Sequence, residues 1–417
     1  MPKDYLIDLH THSKYAQATS KDLDLLHMEA GCRRKGIDVM GTGDFTHPLW
    51  QKELRAGLTE RDGLGWTKTG FPFVYSTEIS LIYRDKGRGR KTHNVVLAPS
   101  MAVVMQITEY LLRFGRVDYD GRPIFGIPCP QFVSDLRAIS KDIEVIPAHI
   151  WTPWFSMFGS NSGWDSMTDC FEDQTKHIHC VETGLSSDPA MNWRLSQLDN
   201  VNIVSFSDAH SPHPWRIGRE ATILTLEKLS YRAIIEKLRT LGGITKTIEV
   251  EPAYGKYHID GHRACGIVWE PSQTKKHNGI CPVCKQPVTR GVLGRVEELA
   301  DRSEGYKRTV AATPYETLLP LHEVLSFTLG KALATKTVGG AYEKLVHATT
   351  EFHVLRAMPF AQLVERSDPT IAQAIIAMRE GKVSIEPGYD GVYGKPTIKG
   401  VTPVDSKRNK QKRLGEF

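Results

Sequence analysis

Asp8-Leu9-His10-Thr11-His12 follows directly on the apolar run Tyr5-Leu6-Ile7. Two imidazoles at i and i+2 just past a strand end can leave a turn in the same direction and grip one metal ion. Neutral imidazole is the commonest protein ligand for zinc and similar ions. Two surface histidines near the start of a chain would look the same, so the remainder of the chain has to decide between the two.

The same pattern recurs through residue 240 or so. Short β-branched or apolar runs at 5–9, 37–41, 73–76, 94–97, 144–148, 180–182 and 202–206 alternate with helix-like segments such as 23–35 and 131–139. This alternation reads as an α/β fold, a parallel β/α barrel or open sheet. At or just past successive runs stand His10 and His12, then Asp44, Glu78, His149, Glu182, and finally Asp208 and His210, with His93 just before the fourth run. In β/α folds the carboxyl-end rim is where loops assemble a site. Packing a core would not place His, Asp and Glu at strand end after strand end. The ligand set expected to do catalysis is therefore His10, His12, Asp44, Glu78, His93, His149, Asp208 and His210. Glu182 reads as a ligand, an orienter of ligands or a pocket wall.

Length and composition bound the rest. At 417 residues the chain has room for two or three domains, and its net charge of +5 is no global polyanion-binding signature. The seven cysteines are odd in number and scattered, which argues against a disulfide framework. No apolar run is long enough for a membrane span and no secretory signal is seen, so a cytoplasmic, nucleoid-associated protein without a membrane partner is expected. The expected organisation is a catalytic barrel over 1–241, a zinc-binding module over 242–310, a helical region over 311–385 packing with that module, and a linker with a basic tail over 386–417.

Three features beyond the barrel point toward nucleic acid. Residues 79–83 and 92–97 flank a Gly-rich turn and can pair as a hairpin, bringing His93 back beside Glu78. The intervening stretch holds Arg84, Lys86, Arg88, Arg90 and Lys91, either a solvated turn or a grip on phosphate oxygens. After His149 comes an aromatic loop with Trp151 and Trp154, which either packs in the core or stacks unpaired bases. Cys281-Pro-Val-Cys284 lies sixteen residues after Cys265, itself the end of His262-x-x-Cys265. Two such half-sites predict one closed structural zinc, with His258 and His277 as rivals to His262 for the fourth position.

The chain resembles known families at these residues. The His-x-His, Asp44, Glu78, His93, His149 and Ser207-Asp208-Ala209-His210 are similar to the polymerase and histidinol phosphatase (PHP) domain. That resemblance implies a distorted seven-stranded barrel and two or three divalent ions, zinc first, with magnesium or manganese as alternatives. It places one ion on His10, His12, Glu78 and Asp208, a second on Glu78, His93 and His149, and a third on Asp44 and His210. The chain departs from the pattern at Ala18 and Gly43, where many members carry histidine and aspartate, which puts the third site in doubt.

Longer strings resemble the endonuclease Q family: His149-Ile-Trp-Thr-Pro-Trp-Phe, Met191-Asn-Trp-Arg194, Asp260-Gly-His-Arg-Ala-Cys265 and Arg295-Val-Glu-Glu-Leu-Ala-Asp-Arg302. This resemblance implies a DNA repair endonuclease that nicks 5′ to uracil, hypoxanthine, xanthine or an abasic site, with the lesion flipped into a pocket. Ser187, Asn192 and Trp193 are candidates for that pocket. The tail residues Gln411, Leu414 and Phe417 are similar to the short motif that docks on the sliding clamp PCNA, which would suit an archaeal or other PCNA-bearing host. The alternatives are a PHP phosphatase or 3′–5′ exonuclease, and a non-enzymatic zinc-knuckle adaptor bound to DNA and the clamp.

Overall fold

The computed structural model describes residues 1–401; the tail motif at Gln411, Leu414 and Phe417 lies outside the described residues. Eight strands frame the first part of the chain. They are β1 (Lys3–Asp8), β2 (Val39–Gly41), β3 (Pro72–Asp85), β4 (Arg88–Ala98), β5 (Glu144–Pro147), β6 (Cys180–Glu182), β7 (Asn202–Val204) and β8 (Ala221–Leu226). Strands β1, β2 and β3 run parallel, as do β6 and β7, whereas β4 turns back on β3, β5 pairs antiparallel with β4, and β8 returns antiparallel to β1.

The fold is thus α/β as expected, but the sheet is mixed rather than all-parallel, for a local reason. Asp85 pairs with Arg88, leaving Lys86 and Gly87 as a two-residue turn with φ of 47° and 77°. A two-residue turn joins only antiparallel strands, and positive φ at both positions matches their twist. The apolar runs at 73–76 and 94–97 are the inner ends of these two long arms, and the hairpin expected from 79–83 and 92–97 forms their outer part.

Single hydrogen bonds carry the strand order on where ladders stop. The Ile150 N–H donates to the Glu182 carbonyl at 3.1 Å, and the Thr222 hydroxyl accepts from Ser205 N–H and donates to its carbonyl, each at 3.0 Å. All eight strands contribute to one buried cluster that includes Ile7, Val39, Val74, Val95, Ile146, Cys180, Val204 and Leu224. The strands therefore enclose a filled interior. The helix Tyr231–Arg239 caps it, adding Tyr231, Ile234 and Leu238, and its Leu238 carbonyl accepts from Asn202 at the start of β7. The amino ends of the strands are plugged by that helix, so the carboxyl ends are left to build a site.

The sheet does not stop at residue 241. Strand β9 (Lys246–Glu249) pairs with β8, and β10 (Tyr315–Thr317) pairs with β9. The small hairpin of Asp260–His262 and Ile267–Trp269 begins the zinc-binding segment. Beyond it, the helices Leu321–Leu329, Lys336–Val346, Glu351–Arg356, Phe360–Arg366 and Pro369–Arg379 pack around Val324, Leu345, Leu355, Leu363 and Ile375. This bundle is pinned to the barrel by a buried ion pair, Lys35 Nζ to Glu351 Oε1 at 2.7 Å. Residues 386–401, expected as linker, are packed instead: Val383–Glu386 pairs with Lys395–Ile398, and Gly388 N–H donates to the Ala253 carbonyl at 2.8 Å. Glycine and proline there mark a turn and a close backbone approach rather than a loose tether. No helix among the described residues is long and apolar enough to cross a membrane.

Candidate active site

The carboxyl ends of the strands bring most of the predicted ligands together. Glu78 lies at the centre, fully buried. Its Oε1 is 2.7 Å from His93 Nδ1, 3.2 Å from His149 Nε2 and 3.6 Å from His10 Nε2. Its Oε2 is 3.4 Å from His12 Nε2. Asp208 Oδ1 lies 3.1 Å from His12 Nε2 and 3.6 Å from His10 Nε2. Two ligand groups result, His10 with His12 and Asp208, and Glu78 with His93 and His149, each with donor atoms within 4.8 Å of one another. The hairpin register explains half of this, because His93 sits opposite Ser80, two residues along the strand from Glu78.

Backbone geometry aims these side chains. Asp44, His149 and Asp208 have φ of 47°, 31° and 46°. Left-handed conformations at non-glycine residues cost roughly 1–2 kcal/mol each and gather where a site demands them. Gly184, with φ of 60°, lies so close to His149 that a Cβ there would fall 2.5 Å from the histidine's own Cβ.

Two carboxylates orient rather than ligate. Glu182 meets His10 Nδ1 at 2.9 and 3.0 Å and also accepts the His149 N–H at 2.7 Å. Asp44 meets His12 Nδ1 at 3.0 Å, and its other oxygen accepts from the Ser13 hydroxyl at 2.7 Å. A carboxylate on Nδ1 fixes the proton there and leaves the Nε2 lone pair for a metal ion. Glu182, open to three roles on sequence alone, thus takes that of orienter. Asp44, expected as a third-ion ligand, has its oxygens against His12 and Ser13 and belongs to neither ligand group. His210 is bonded through Nδ1 to the Asp208 carbonyl at 2.9 Å and packs edge-on against His12. Among the described residues, Asp44 and His210 form no third group.

The electrostatics suit cations. Burial alone would depress the pKa values of His10 and His12, but the carboxylates of Glu182, Asp208, Glu78 and Asp44 outweigh it and hold both well above the ordinary histidine range. Burial likewise opposes charge on Glu78 and Asp208, yet the facing imidazoles, and Arg122 at Glu78, keep both well below the carboxylate range. Burial brings His93 down to about 4, leaving it neutral with a free lone pair. Protons on His10 and His12 occupy the places that divalent ions compete for. His10 Nε2 is buried without a hydrogen-bond partner while facing two carboxylates, so the donor set fits a metal ion.

A cavity of about 680 Å³ opens beside this centre, lined by His149, Asp208, His210, Arg216, Arg219 and Tyr257 among others, with Lys256 and Tyr393 closing it from the later part of the chain. The lining arginines, Lys256 and the tyrosines were missed by sequence reading. They lie in turn-rich segments with no periodicity to place them. Arg122, whose Nη1 is 3.2 Å from Glu78 Oε2, was missed for the same reason.

Comparison with known proteins supports this geometry. A family model described as the MJ0043 C-terminal domain matches residues 320–382, the helical bundle. An uncharacterized protein, MJ0043 of Methanocaldococcus jannaschii, is 32% identical over 299 residues; the match spans 69% of this chain but only 36% of that protein's length. The uncharacterized YqxK of Bacillus subtilis is 28% identical over 93% of this chain and 98% of its own. The lesion-specific endonuclease PfuEndoQ from Pyrococcus furiosus superposes with a TM-score of 0.84 at 29% identity, covering 95% of this chain and 96% of that one. An endonuclease Q solved with a 27-mer duplex carrying an abasic lesion at the active site gives a TM-score of 0.85 at 28% identity, over 95% and 97% of the two chains. The chain is similar to endonuclease Q over nearly its whole length.

In this endonuclease Q-like chain, the zinc half-sites converge. His262, Cys265, Cys281 and Cys284 form one group, with His262 Nδ1 3.7 Å from Cys284 Sγ. The rivals lie elsewhere: His277 stacks on Trp269 with ring centroids 4.6 Å apart, and His258 is half-buried outside the group. Burial opposes a thiolate at Cys281, but the backbone N–H groups of Cys284 and Val283 outweigh it and bring its pKa down to about 6. That thiol is ready to ligate.

Other expected binding residues divide. Trp151 is buried, its Nε1 donating to Asn192 Oδ1 at 2.8 Å, and so cannot stack a base. Trp154 is 40% exposed and meets the cavity-lining Tyr257 edge-on. Arg90 is buried, lying over Trp164 and donating to the Gly163 carbonyl, so it holds the hairpin to the aromatic loop instead of meeting phosphate. Lys91 is half-buried with its ammonium over the Phe155 ring, and Lys86 pairs with Asp169 at the surface. Arg84 and Arg88 are exposed. Ser187 and Asn192 are buried and bonded to each other, and Trp193 packs on Tyr315. None of these three lines the cavity, because the short Pro189–Asn192 helix turns them into the core.

Proposed function

We propose that this protein is a metal-dependent DNA repair endonuclease that nicks duplex DNA on the 5′ side of a deaminated base or an abasic site. The observation that carries the reading is a buried carboxylate, Glu78, which belongs to one ligand group and lies 3.6 and 3.4 Å from His10 and His12 of the other, beside a cavity roomy enough for one extruded nucleotide. The likeness to a lesion-specific endonuclease, and to an endonuclease Q structure holding an abasic duplex, runs over nearly the whole chain.

Each side chain has a part in this chemistry. His10, His12 and Asp208 would hold one ion and His93, His149 and Glu78 a second. Bound there, divalent ions lower the pKa of water and offset charge that builds on a phosphoryl group. Glu78 sets the spacing between the two groups. Glu182 and Asp44 fix the tautomers of His10 and His12, so both Nε2 atoms face inward before substrate arrives. Arg216, Arg219 and Lys256 suit the backbone flanking a flipped nucleotide, while Tyr257 and exposed Trp154 offer faces for bases. A damaged or mispaired base costs least to extrude, which favours lesions over intact sequence.

The test is cleavage of duplexes carrying one uracil, one hypoxanthine or one abasic site beside an undamaged control, with and without EDTA. Nicks 5′ to the lesion, lost with chelator and restored by zinc, manganese or magnesium, are expected. Equal cutting of the undamaged duplex would overturn the reading. A nucleoid location is proposed to go with the repair role, and the tail residues Gln411, Leu414 and Phe417 are proposed to dock on a PCNA-type clamp, to be tested by pull-down of the full chain against its Phe417→Ala variant.

A further inference from the structure

Arg122 stands where a solvated turn residue would not be expected. Its Nη1 donates to Glu78 Oε2 at 3.2 Å, its side chain is only 27% exposed, and no other protein partner engages the guanidinium among the described residues. An arginine has five N–H donors in a fixed fork, so most remain without a partner beside Glu78.

The turn that carries it is fixed on all sides. The Asp120 carboxylate accepts from the N–H groups of both Gln17 and Arg122 at 3.1 Å. Gly121 N–H donates to the Tyr15 carbonyl at 3.0 Å, and Ser80 N–H to the Pro123 carbonyl at 3.1 Å. Gly121 lies so tightly on Asp44 that a Cβ would fall 2.3 Å from Asp44 Oδ2, and only glycine fits. The segment is thus locked to the His-x-His loop, to Asp44 and to the Glu78 strand at once. Such rigidity is what a preorganised cation needs, since it then costs no rearrangement when charge develops.

We propose that Arg122 is a catalytic residue whose free guanidinium N–H groups donate to a non-bridging oxygen of the scissile phosphate while Nη1 holds Glu78. This rests on the hydrolytic reading given above. The oxygens gain negative charge as the attacking oxygen approaches, so the contact strengthens toward the transition state and its loss falls on kcat more than on KM. A purely structural ion pair would instead hold Glu78 in place, and its loss would show in metal content.

The experiment compares full-length Arg122→Met and Arg122→Lys with the parent. Readouts are kcat and KM on an abasic duplex, the same on bis(p-nitrophenyl) phosphate, and bound metal per chain by mass spectrometry. Arg122→Met is expected to lose roughly 100- to 1,000-fold in kcat on both substrates, with KM and metal content close to parent, and Arg122→Lys to recover part of the loss. Metal content falling in step with rate, or an unchanged kcat, would overturn the proposal. Cleavage of the small diester but not of abasic DNA by the parent would sink the lesion reading while leaving this comparison intact. A parent inactive on both would overturn both.

Discussion

The carboxylate of Glu182 grips the Nδ1 edge of His10 with both oxygens, at 2.9 and 3.0 Å, across 172 residues of sequence. It does not itself face the metal position; it decides which nitrogen of His10 can. Removing such an outer partner typically costs 10- to 100-fold in metal affinity or activity. Glu182→Gln is therefore expected to weaken metal binding by roughly that factor while the protein stays folded. Competition with a chromogenic chelator checks it, with circular dichroism to confirm the fold. Unchanged affinity would make Glu182 a pocket wall.

His12→Ala and Asp208→Asn are expected to abolish nicking, by at least about a thousandfold, yet to leave the abasic duplex bound. Both residues belong to the His10 group, whereas the basic and aromatic cavity lining stays intact. Fluorescence anisotropy alongside a nicking assay separates the two effects. Equal loss of binding and cleavage would mean that these residues hold the fold.

Much of this centre was legible because its parts obey a rule of position. His10, Glu78, His149 and Asp208 each come after an apolar run, and a ligating side chain just past a strand end is unusual enough to notice. What stayed hidden depends on direction instead of position. Asp44 occupies a strand end like the others, but its carboxylate turns to His12 and Ser13, which spacing cannot reveal. Arg90 sits in a run of cations and looks solvated, yet it alone of the five is fully turned under the aromatic loop. The cavity wall draws Arg216, Tyr257 and Tyr393 from three distant turns, and their meeting is a fact of tertiary packing with no local signature. The zinc half-sites were the easiest to read, since metal geometry restricts their spacing to a narrow range.

Trp151 and Trp154 stand three residues apart in one loop and should fail in different ways. Trp151 is fully buried and anchored to Asn192, so Trp151→Ala is expected to cost about 3–5 kcal/mol of stability, read as a lower denaturant midpoint. Trp154 is exposed beside Tyr257, so Trp154→Ala should leave the midpoint nearly unchanged and weaken binding of damaged duplex by roughly 1–3 kcal/mol if it stacks a base. Paired urea titrations and binding isotherms distinguish them. A Trp154 variant that binds damaged DNA like the parent would remove the base-stacking role from this loop.

Removal of the Cys281 thiol tests whether the zinc-binding segment serves chemistry or recognition. The four ligands His262, Cys265, Cys281 and Cys284 leave no open position, so an ion there can only hold the local fold together. That local fold reaches the cavity. Gly261 N–H donates to the Thr289 carbonyl, Val292 N–H donates to the Tyr257 carbonyl, and Tyr257 lines the space beside Asp208 and His210. Cys281→Ser is expected to lose the structural zinc, to loosen the Tyr257 wall and to cut nicking of abasic duplex sharply. Hydrolysis of bis(p-nitrophenyl) phosphate, which needs only the barrel rim, should persist. Metal counting by mass spectrometry and the two assays read these outcomes separately. Parallel loss of both activities would mean that the segment supports the barrel itself, and equal retention of both would detach it from DNA recognition.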